Sequence, residues 1–156
     1  MWLSHPIGWL ARKYAVEEEG RAVASLEFGS WTERGALVID GERLEIVREG
    51  WWNPAFHLEH GHERLATARK SGAFARGFTI RHGHEDYRTY PSSWLGREHV
   101  LTRRGRDLGR IHVRGFLARR FEIDLDDELV PELRLFTFWL VLLAMRRAAA
   151  AAAAAS

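Results

Sequence analysis

An apolar run close to the C-terminus restricts the fold of this chain more than any other feature. Residues 135–145 contain one polar side chain, Thr137, and Pro131 and Glu132 suit the first turn of a helix. A helix that is apolar on every side must be surrounded by lipid or by protein. The rest of the chain therefore has to enclose this helix, unless a membrane does.

The apolar run is too short to cross a membrane. The uncharged stretch between Arg134 and Arg146 corresponds to about 16 Å of helix, against roughly 30 Å of bilayer hydrocarbon. Extending it through the following alanines would bury Arg146 and Arg147 at about 2.5 to 3.5 kcal/mol each. We therefore expect no transmembrane span. We predict a protein-enclosed helix over residues 129–147, and an alanine-rich, low-complexity tail over residues 148–156 that frays.

The first 125 residues are typical of short β-strands separated by turns. Apolar and polar side chains alternate, Gly-containing turns separate the segments, and Asp40-Gly41 between two such segments is a strong hairpin signal. Strands are predicted around Tyr14 and Val16, and over residues 22–28, 36–39, 42–48, 55–59, 64–69, 74–81, 86–90, 97–103, 108–114 and 119–124.

Eleven or twelve half-buried strands explain how the apolar helix is enclosed. No amphipathic helix lies between the strands, which argues against a parallel sheet. A closed sheet of that size has a lumen too wide for inward side chains alone to fill, so it needs a plug. We predict a mainly β fold, a closed antiparallel barrel of about 12 strands around the hydrophobic C-terminal α-helix, as one domain over residues 1–147.

Charge is unevenly distributed along the sequence. The formal net charge is +2, but residues 64–120 hold 14 basic and 4 acidic side chains, whereas residues 1–63 and 121–156 are acidic. A basic excess of this kind can face the phosphate groups of lipid or nucleic acid. We predict an anion-binding outer face built from arginines of the basic segment: Arg103, Arg104, Arg110, Arg114, Arg119 and Arg120.

No residue pattern indicates catalysis or a bound cofactor. The chain has no cysteine, no Gly-x-Ser-x-Gly elbow, no phosphate-binding Gly-x-x-x-x-Gly-Lys loop and no dinucleotide fingerprint. His57, His60 and His62, and likewise His82 and His84, lack the spacing of a known metal site, so we expect solvated loop histidines. We predict no enzymatic activity, no metal and no cofactor.

The seven tryptophans allow two interpretations. Trp2, Trp9, Trp51 and Trp52 could anchor the protein at a bilayer surface or stack on nucleic-acid bases. Alternatively, they supply the large side chains that barrel rims and helix contacts require. We favour packing.

Several short stretches resemble the tubby C-terminal-like superfamily, in its branch of LURP-one-related and phospholipid-scramblase-like proteins. They are residues 70–74 (KSGAF), 78–80 (FTI), 90–94 (YPSSW), 109–111 (GRI), 121–123 (FEI) and 128–131 (ELVP) before the apolar helix. The resemblance covers roughly residues 14–147. It implies a twelve-stranded barrel around a central C-terminal helix, in a family that ranges from phosphoinositide-binding regulators to proposed scramblases.

The resemblance also invites a comparison with the calcium-binding acidic segment of the scramblase branch. Acidic residues stand just before the apolar helix, at Asp124, Asp126, Asp127 and Glu128. Where that branch has its acidic ligands, however, this chain has basic residues at 119 and 120, which would repel a cation. Calcium binding is therefore not expected.

These observations predict a cytoplasmic, non-enzymatic binding or scaffold domain. Its basic face would contact anionic phospholipid headgroups, placing it peripherally at the membrane, or an acidic protein partner. Two alternatives stay open: a tail-anchored protein whose last helix enters the membrane, and a nucleic-acid-binding module that uses the same arginines. Nucleic acid is not the partner we expect.

Overall fold

The computed structural model describes residues 1–72, 76–115 and 119–156, which form twelve β-strands and one α-helix. In chain order the strands are β1 (Trp2–Ile7), β2 (Lys13–Glu18), β3 (Arg21–Phe28), β4 (Gly35–Ile39), β5 (Glu42–Glu49), β6 (Ala55–His60), β7 (Glu63–Lys70), β8 (Phe78–His82), β9 (Glu85–Pro91), β10 (Glu98–Arg103), β11 (Arg106–Arg114) and β12 (Arg120–Leu125). The helix α1 spans Pro131–Ala154.

The strands form one closed antiparallel barrel. Each strand pairs with its neighbours in the chain, and β1 closes the sheet by pairing with β12, with Trp2 opposite Ile123 and Ser4 opposite Phe121. Closure leaves no sheet edge available for pairing with another chain. The predicted fold class, a closed barrel of about 12 strands around a C-terminal helix, is confirmed.

The eleven predicted strands correspond to β2 through β12, and β1 is the strand that the sequence did not reveal. In β1 the buried positions are Trp2 and Ser4, Leu3 is exposed and Pro6 follows, so apolar alternation is lost. The segment predicted over 74–81 begins as β8 at Phe78, and residues 74 and 75 lie outside the described residues.

The two ends of the barrel differ in their connections. Because the strands run up and down, alternate connections lie at the same end. The turn end carries the short connections at residues 19–20, 40–41, 61–62, 83–84 and 104–105, together with residues 126–130 before α1. The loop end carries residues 8–12, 29–34, 50–54, 71–77, 92–97 and 115–119, of which 73–75 and 116–118 lie outside the described residues.

Helix α1 enters the barrel at the turn end and fills its lumen. Every residue of α1 from Leu133 to Leu143 is buried, which suits a sequence with no polar face. Trp139 stacks on Phe28 with 4.9 Å between ring centroids, and its indole Nε1 donates a hydrogen bond to a strand carbonyl oxygen. A Cβ at Gly35 would collide with Trp139 Nε1 and with the carbonyl oxygen of Glu27, so β4 needs glycine beside this hydrogen-bonded indole.

The helix bounds differ from the prediction of 129–147. Residues 129 and 130 precede the helix because Pro131, which lacks an N–H, takes its first turn. The alanine tail does not fray after residue 147: α1 continues to Ala154, since alanine has the highest helix propensity. Residues 148–156 leave the barrel at the loop end and are exposed.

Within the described residues, α1 is the helix whose length and mean hydropathy would allow it to cross a membrane. Half of its most apolar window is buried inside the barrel, however. The core helix of a folded domain has the same composition, so this property does not distinguish the two roles.

Candidate functional site

The six arginines predicted to bind anions do not form one cluster. The structure places Arg103 and Arg104 beside the turn end, Arg110 within β11, and Arg114, Arg119 and Arg120 beside the loop end. Three of them form ion pairs with carboxylates: Arg104 with Glu85 (3.1 Å), Arg110 with Glu98 (2.9 Å) and Arg114 with Glu122. The guanidinium of Arg103 lies 5.9 Å from the ring centroid of Tyr87. Anion binding by these six residues stays a prediction.

His57 and Asp126 have structural partners. Among the described residues, no three histidine or acidic side chains are arranged to hold a metal ion. His57, expected in a solvated loop, is instead buried on β6, where its ring lies 2.9 Å from Glu49 Oε2 and 2.9 Å from Thr67 Oγ1. Asp126 Oδ1 accepts a hydrogen bond from the backbone N–H of Glu128, which orders the connection before α1.

The loop end carries a set of exposed indoles. Five tryptophans are between 78% and 97% exposed: Trp9, Trp31, Trp51, Trp52 and Trp94. They stand on four different connections, and the neighbouring Leu10 and Leu95 are also exposed. The expectation that Trp9, Trp51 and Trp52 pack at the barrel rim is wrong, because these residues lie in loops beyond the ends of the strands.

Several exposed indoles on neighbouring loops are unusual on the surface of a monomeric protein in water. Soluble monomers rarely expose contiguous large apolar patches, and such patches commonly mark interaction sites. Tryptophan combines a large apolar ring with an N–H donor, which suits a boundary between water and an apolar phase. The loop end therefore has the composition of an interface.

The same end is strongly basic. The connections of the loop end, together with α1 beyond Met145, contain a single acidic residue, Glu33, and seven arginines: Arg12, Arg34, Arg76, Arg97, Arg119, Arg146 and Arg147. The connections of the turn end show the opposite balance, with one arginine, Arg104, and five acidic residues: Glu19, Asp40, Asp126, Asp127 and Glu128. The barrel is therefore electrically polar along its axis, and the tryptophans stand at its positive end.

One histidine near this end stays neutral. His99 on β10 is buried and lines a small cavity with Leu95, Ala144 and Met145. Desolvation by burial lowers its pKa to about 4. His99 therefore adds no charge to the loop end at physiological pH.

A half-buried ion-pair cluster joins the β3–β4 loop, which carries Trp31, to α1. Arg147 donates two hydrogen bonds to Glu33, from Nε to Oε1 (2.7 Å) and from Nη2 to Oε2 (2.6 Å). Arg48 Nε on β5 lies 3.3 Å from Glu33 Oε2. Because Glu33 follows Trp31 in the β3–β4 loop, the cluster fixes that loop against the helix.

The cluster makes a pH-dependent contribution to stability. The hydrogen bonds from Arg147 hold the pKa of Glu33 below its usual value of 4.5, against an opposing effect of burial. A carboxyl with a lowered pKa in the folded state stabilises the fold above its unfolded pKa, and the contribution is lost as pH falls through the folded value. We expect Glu33→Gln to reduce the free energy of unfolding by about 1 kcal/mol at pH 7, allowing for solvent screening.

Urea denaturation at pH 7 and pH 3 measures this effect. The difference between the wild-type protein and Glu33→Gln should shrink at pH 3. Glu63→Gln, which changes an exposed carboxyl near the turn end, serves as the control and should have little effect at either pH. An equal loss for Glu33→Gln at both pH values would show that the loss does not come from the charged pair.

Comparisons with models of protein families, with curated proteins and with solved structures found no match for this chain. The resemblance to the tubby C-terminal-like superfamily therefore stays a prediction.

The sequence does contain a signal for the loop end. Tryptophans occur in alternate connections, and an up-and-down topology brings alternate connections to the same end of the barrel.

Proposed function

We propose that this protein is a non-enzymatic binding domain of tubby C-terminal-like type that docks on membranes containing anionic phospholipid. In this proposal the loop end faces the bilayer. The observation that carries it is the presence of five exposed tryptophans and seven arginines on one end of the barrel. The closed barrel around an apolar helix, which the family resemblance implies, supports the choice of family.

Charge and apolar area favour the same orientation. A basic side chain close to an anionic membrane contributes about 1 kcal/mol to binding, and indole rings prefer the headgroup region. The acidic turn end would be repelled by the same surface. The polarity of the barrel thus favours one orientation, with its axis pointing toward the bilayer.

Burial of the helix argues against a tail anchor. To span a bilayer, α1 would have to withdraw residues 133–143 from the barrel, where all of them are buried. Removing this plug would expose the apolar inner face of the barrel to water. Docking through the loops leaves the core intact and uses side chains that are already exposed.

Removing two tryptophans should weaken membrane binding strongly. Trp51 and Trp52 are adjacent on the β5–β6 loop and both are largely exposed. Burying one large apolar side chain is worth about 1.5 to 3 kcal/mol, and about 1.4 kcal/mol corresponds to a factor of ten. We expect the double variant Trp51→Ala/Trp52→Ala to bind vesicles of mixed phosphatidylcholine and phosphatidylserine at least about a hundredfold more weakly, measured by co-sedimentation.

A matched control shows whether the effect is specific to the loop end or follows from the loss of any exposed apolar side chain. Leu3→Ala removes an exposed apolar side chain on the barrel wall and should leave vesicle binding unchanged. Binding should also decrease with salt and require anionic lipid. Equal binding of the wild-type protein and the double variant, or equal binding to neutral vesicles at all salt concentrations, would contradict docking. Tighter binding to oligonucleotides than to vesicles would instead favour the nucleic-acid alternative.

A further inference from the structure

A cavity of about 480 Å³ opens at the loop end between the β3–β4 and β5–β6 loops. Three indole rings contribute to its walls, those of Trp31, Trp51 and Trp52. The rings of Trp51 and Trp52 meet edge to face with 5.8 Å between centroids. Charged side chains from the barrel rim and from α1 also line the cavity, so it combines apolar walls with ionic groups.

The charges that line the cavity favour an anion. Its ionisable side chains are Glu33, Arg48, Lys70 and Arg147, with a formal net charge of +2. Both carboxylate oxygens of Glu33 already accept hydrogen bonds from Arg147, so a cationic ligand would gain little from this carboxylate. A phosphate monoester carries a charge of roughly −1.5 to −2 at neutral pH, which matches the cavity.

Two guanidinium groups that line the cavity share one carboxylate. Arg147 donates two hydrogen bonds to Glu33, and Arg48 Nε lies 3.3 Å from Glu33 Oε2 without, within the described residues, making a hydrogen bond. The positive charge of this pair is therefore only half compensated. A phosphate in the cavity would supply further negative charge, and guanidinium groups are well suited to phosphate oxygens.

We propose that this cavity binds a phosphate monoester, with Arg48 and Arg147 holding the phosphate and the three indoles flanking its organic part. The identification of the source as a lipid rests on the proposed function, since docking would bring headgroups such as that of phosphatidic acid to this end. A soluble phosphate ester offers the same chemistry to the same groups. The experiments below distinguish the two sources.

Soluble probes test the site without a membrane. Indole N–H signals of the ¹⁵N-labelled full chain are followed during titration with glycerol 3-phosphate, inorganic phosphate and the phosphodiester glycerophosphocholine. We expect saturable shifts with glycerol 3-phosphate and at least tenfold weaker binding of the diester, which carries less charge. Titrations in which no indole signal shifts saturably would overturn the proposal.

Two arginine variants on β5 show whether binding depends on the cavity or only on the net charge of the protein. Arg48→Gln should weaken binding of glycerol 3-phosphate at least tenfold. Arg43→Gln is the matched control, because Arg43 is also on β5 but is exposed near the turn end and paired with Glu27 and Glu45. Lys70→Gln, at the exposed end of β7, is a second test with little risk to folding and should weaken binding severalfold. Equal effects of Arg48→Gln and Arg43→Gln would overturn the proposal.

Vesicles of equal charge identify the source of the phosphate. A lipid source predicts tighter binding to phosphatidic acid vesicles than to phosphatidylserine vesicles, with the preference lost in Arg48→Gln. Saturable binding of glycerol 3-phosphate without this preference supports the site with a soluble ester as its ligand. Vesicle binding that depends on Trp51 and Trp52 but is insensitive to Arg48→Gln would rule out a lipid as the source of the phosphate and leave docking intact. Docking itself fails if no vesicle binds, and the soluble titrations then decide the cavity independently.

Discussion

Replacing Trp139 with alanine is expected to lower the free energy of unfolding by about 3 to 5 kcal/mol. Trp139 is fully buried at the middle of α1, stacked on Phe28 and 5.6 Å from the ring centroid of Phe56. Its Nε1 donates a hydrogen bond of 3.3 Å to the carbonyl oxygen of Glu27. Alanine would lose these contacts and leave a cavity, because a closed barrel cannot contract around a smaller plug.

Urea denaturation followed by circular dichroism measures this loss. Trp139→Phe should cost less than alanine, because a ring remains to stack on Phe28. Trp51→Ala removes an indole of the same size from the exposed loop end and should change stability by no more than about 0.5 kcal/mol. If Trp139→Ala were as mild as Trp51→Ala, α1 would not be the plug that holds the barrel together.

The fold was predictable because its two main signals are local and consistent with each other. Alternation of side chains predicted β2 through β12, and the apolar run predicted a helix that needs enclosure. β1 escaped because the polar Ser4 occupies an inward position, where its hydroxyl donates to the carbonyl oxygen of Ala15 at 2.8 Å. A serine can occupy a buried position when its hydroxyl is hydrogen-bonded to a neighbouring strand, and a search for alternating apolar residues does not detect such a position.

The distribution of charge along the chain differs from its distribution on the folded barrel. A basic central third suggested one basic face, yet up-and-down topology sends successive connections of that segment to opposite ends. Arg104 therefore lies at the acidic turn end, while Arg97 and Arg119 lie at the loop end. The electrical polarity follows the barrel axis, and it becomes visible only when connections are grouped by end.

The burial of individual tryptophans was also not predictable from the local sequence. Each of Trp2 and Trp51 is followed by another large apolar residue, Leu3 and Trp52 respectively, so the immediate apolar pattern does not distinguish them. The difference is that Trp2 belongs to a strand with its ring directed inward, whereas Trp51 lies in a loop. Packing was therefore the correct expectation for Trp2 and the wrong one for Trp51.

The buried guanidinium of Arg134 leads to a prediction with two opposite outcomes. Arg134 lies near the start of α1, is 4% exposed, and has Asp127 Oδ1 at 3.2 Å from its Nη1. Its guanidinium carbon lies 3.9 Å from the ring centroid of Trp2, and within the described residues its Nε and Nη2 make no hydrogen bond. The charge is thus desolvated and only partly compensated.

Removing the Asp127 carboxylate should therefore destabilise the fold more than removing the Arg134 guanidinium. We expect Asp127→Ala to lower the free energy of unfolding by about 2 to 3 kcal/mol, because it leaves a buried charge without its carboxylate; exposure of Asp127 keeps the loss below that of a fully buried pair. Arg134→Met should be neutral or stabilising by about 1 kcal/mol, since an apolar side chain of similar length avoids desolvation. Its thioether can also pack on the ring of Trp2.

A double-mutant cycle measured by urea denaturation tests this account directly. In the Arg134→Met background, Asp127→Ala should have almost no effect, because the charge that needed compensation is gone. A loss of about 2 to 3 kcal/mol for Asp127→Ala in both backgrounds would mean that Asp127 acts through the connection before α1. A large loss for Arg134→Met alone would mean that the contact between the guanidinium and Trp2 outweighs its desolvation, and that β1 is held closed by that contact.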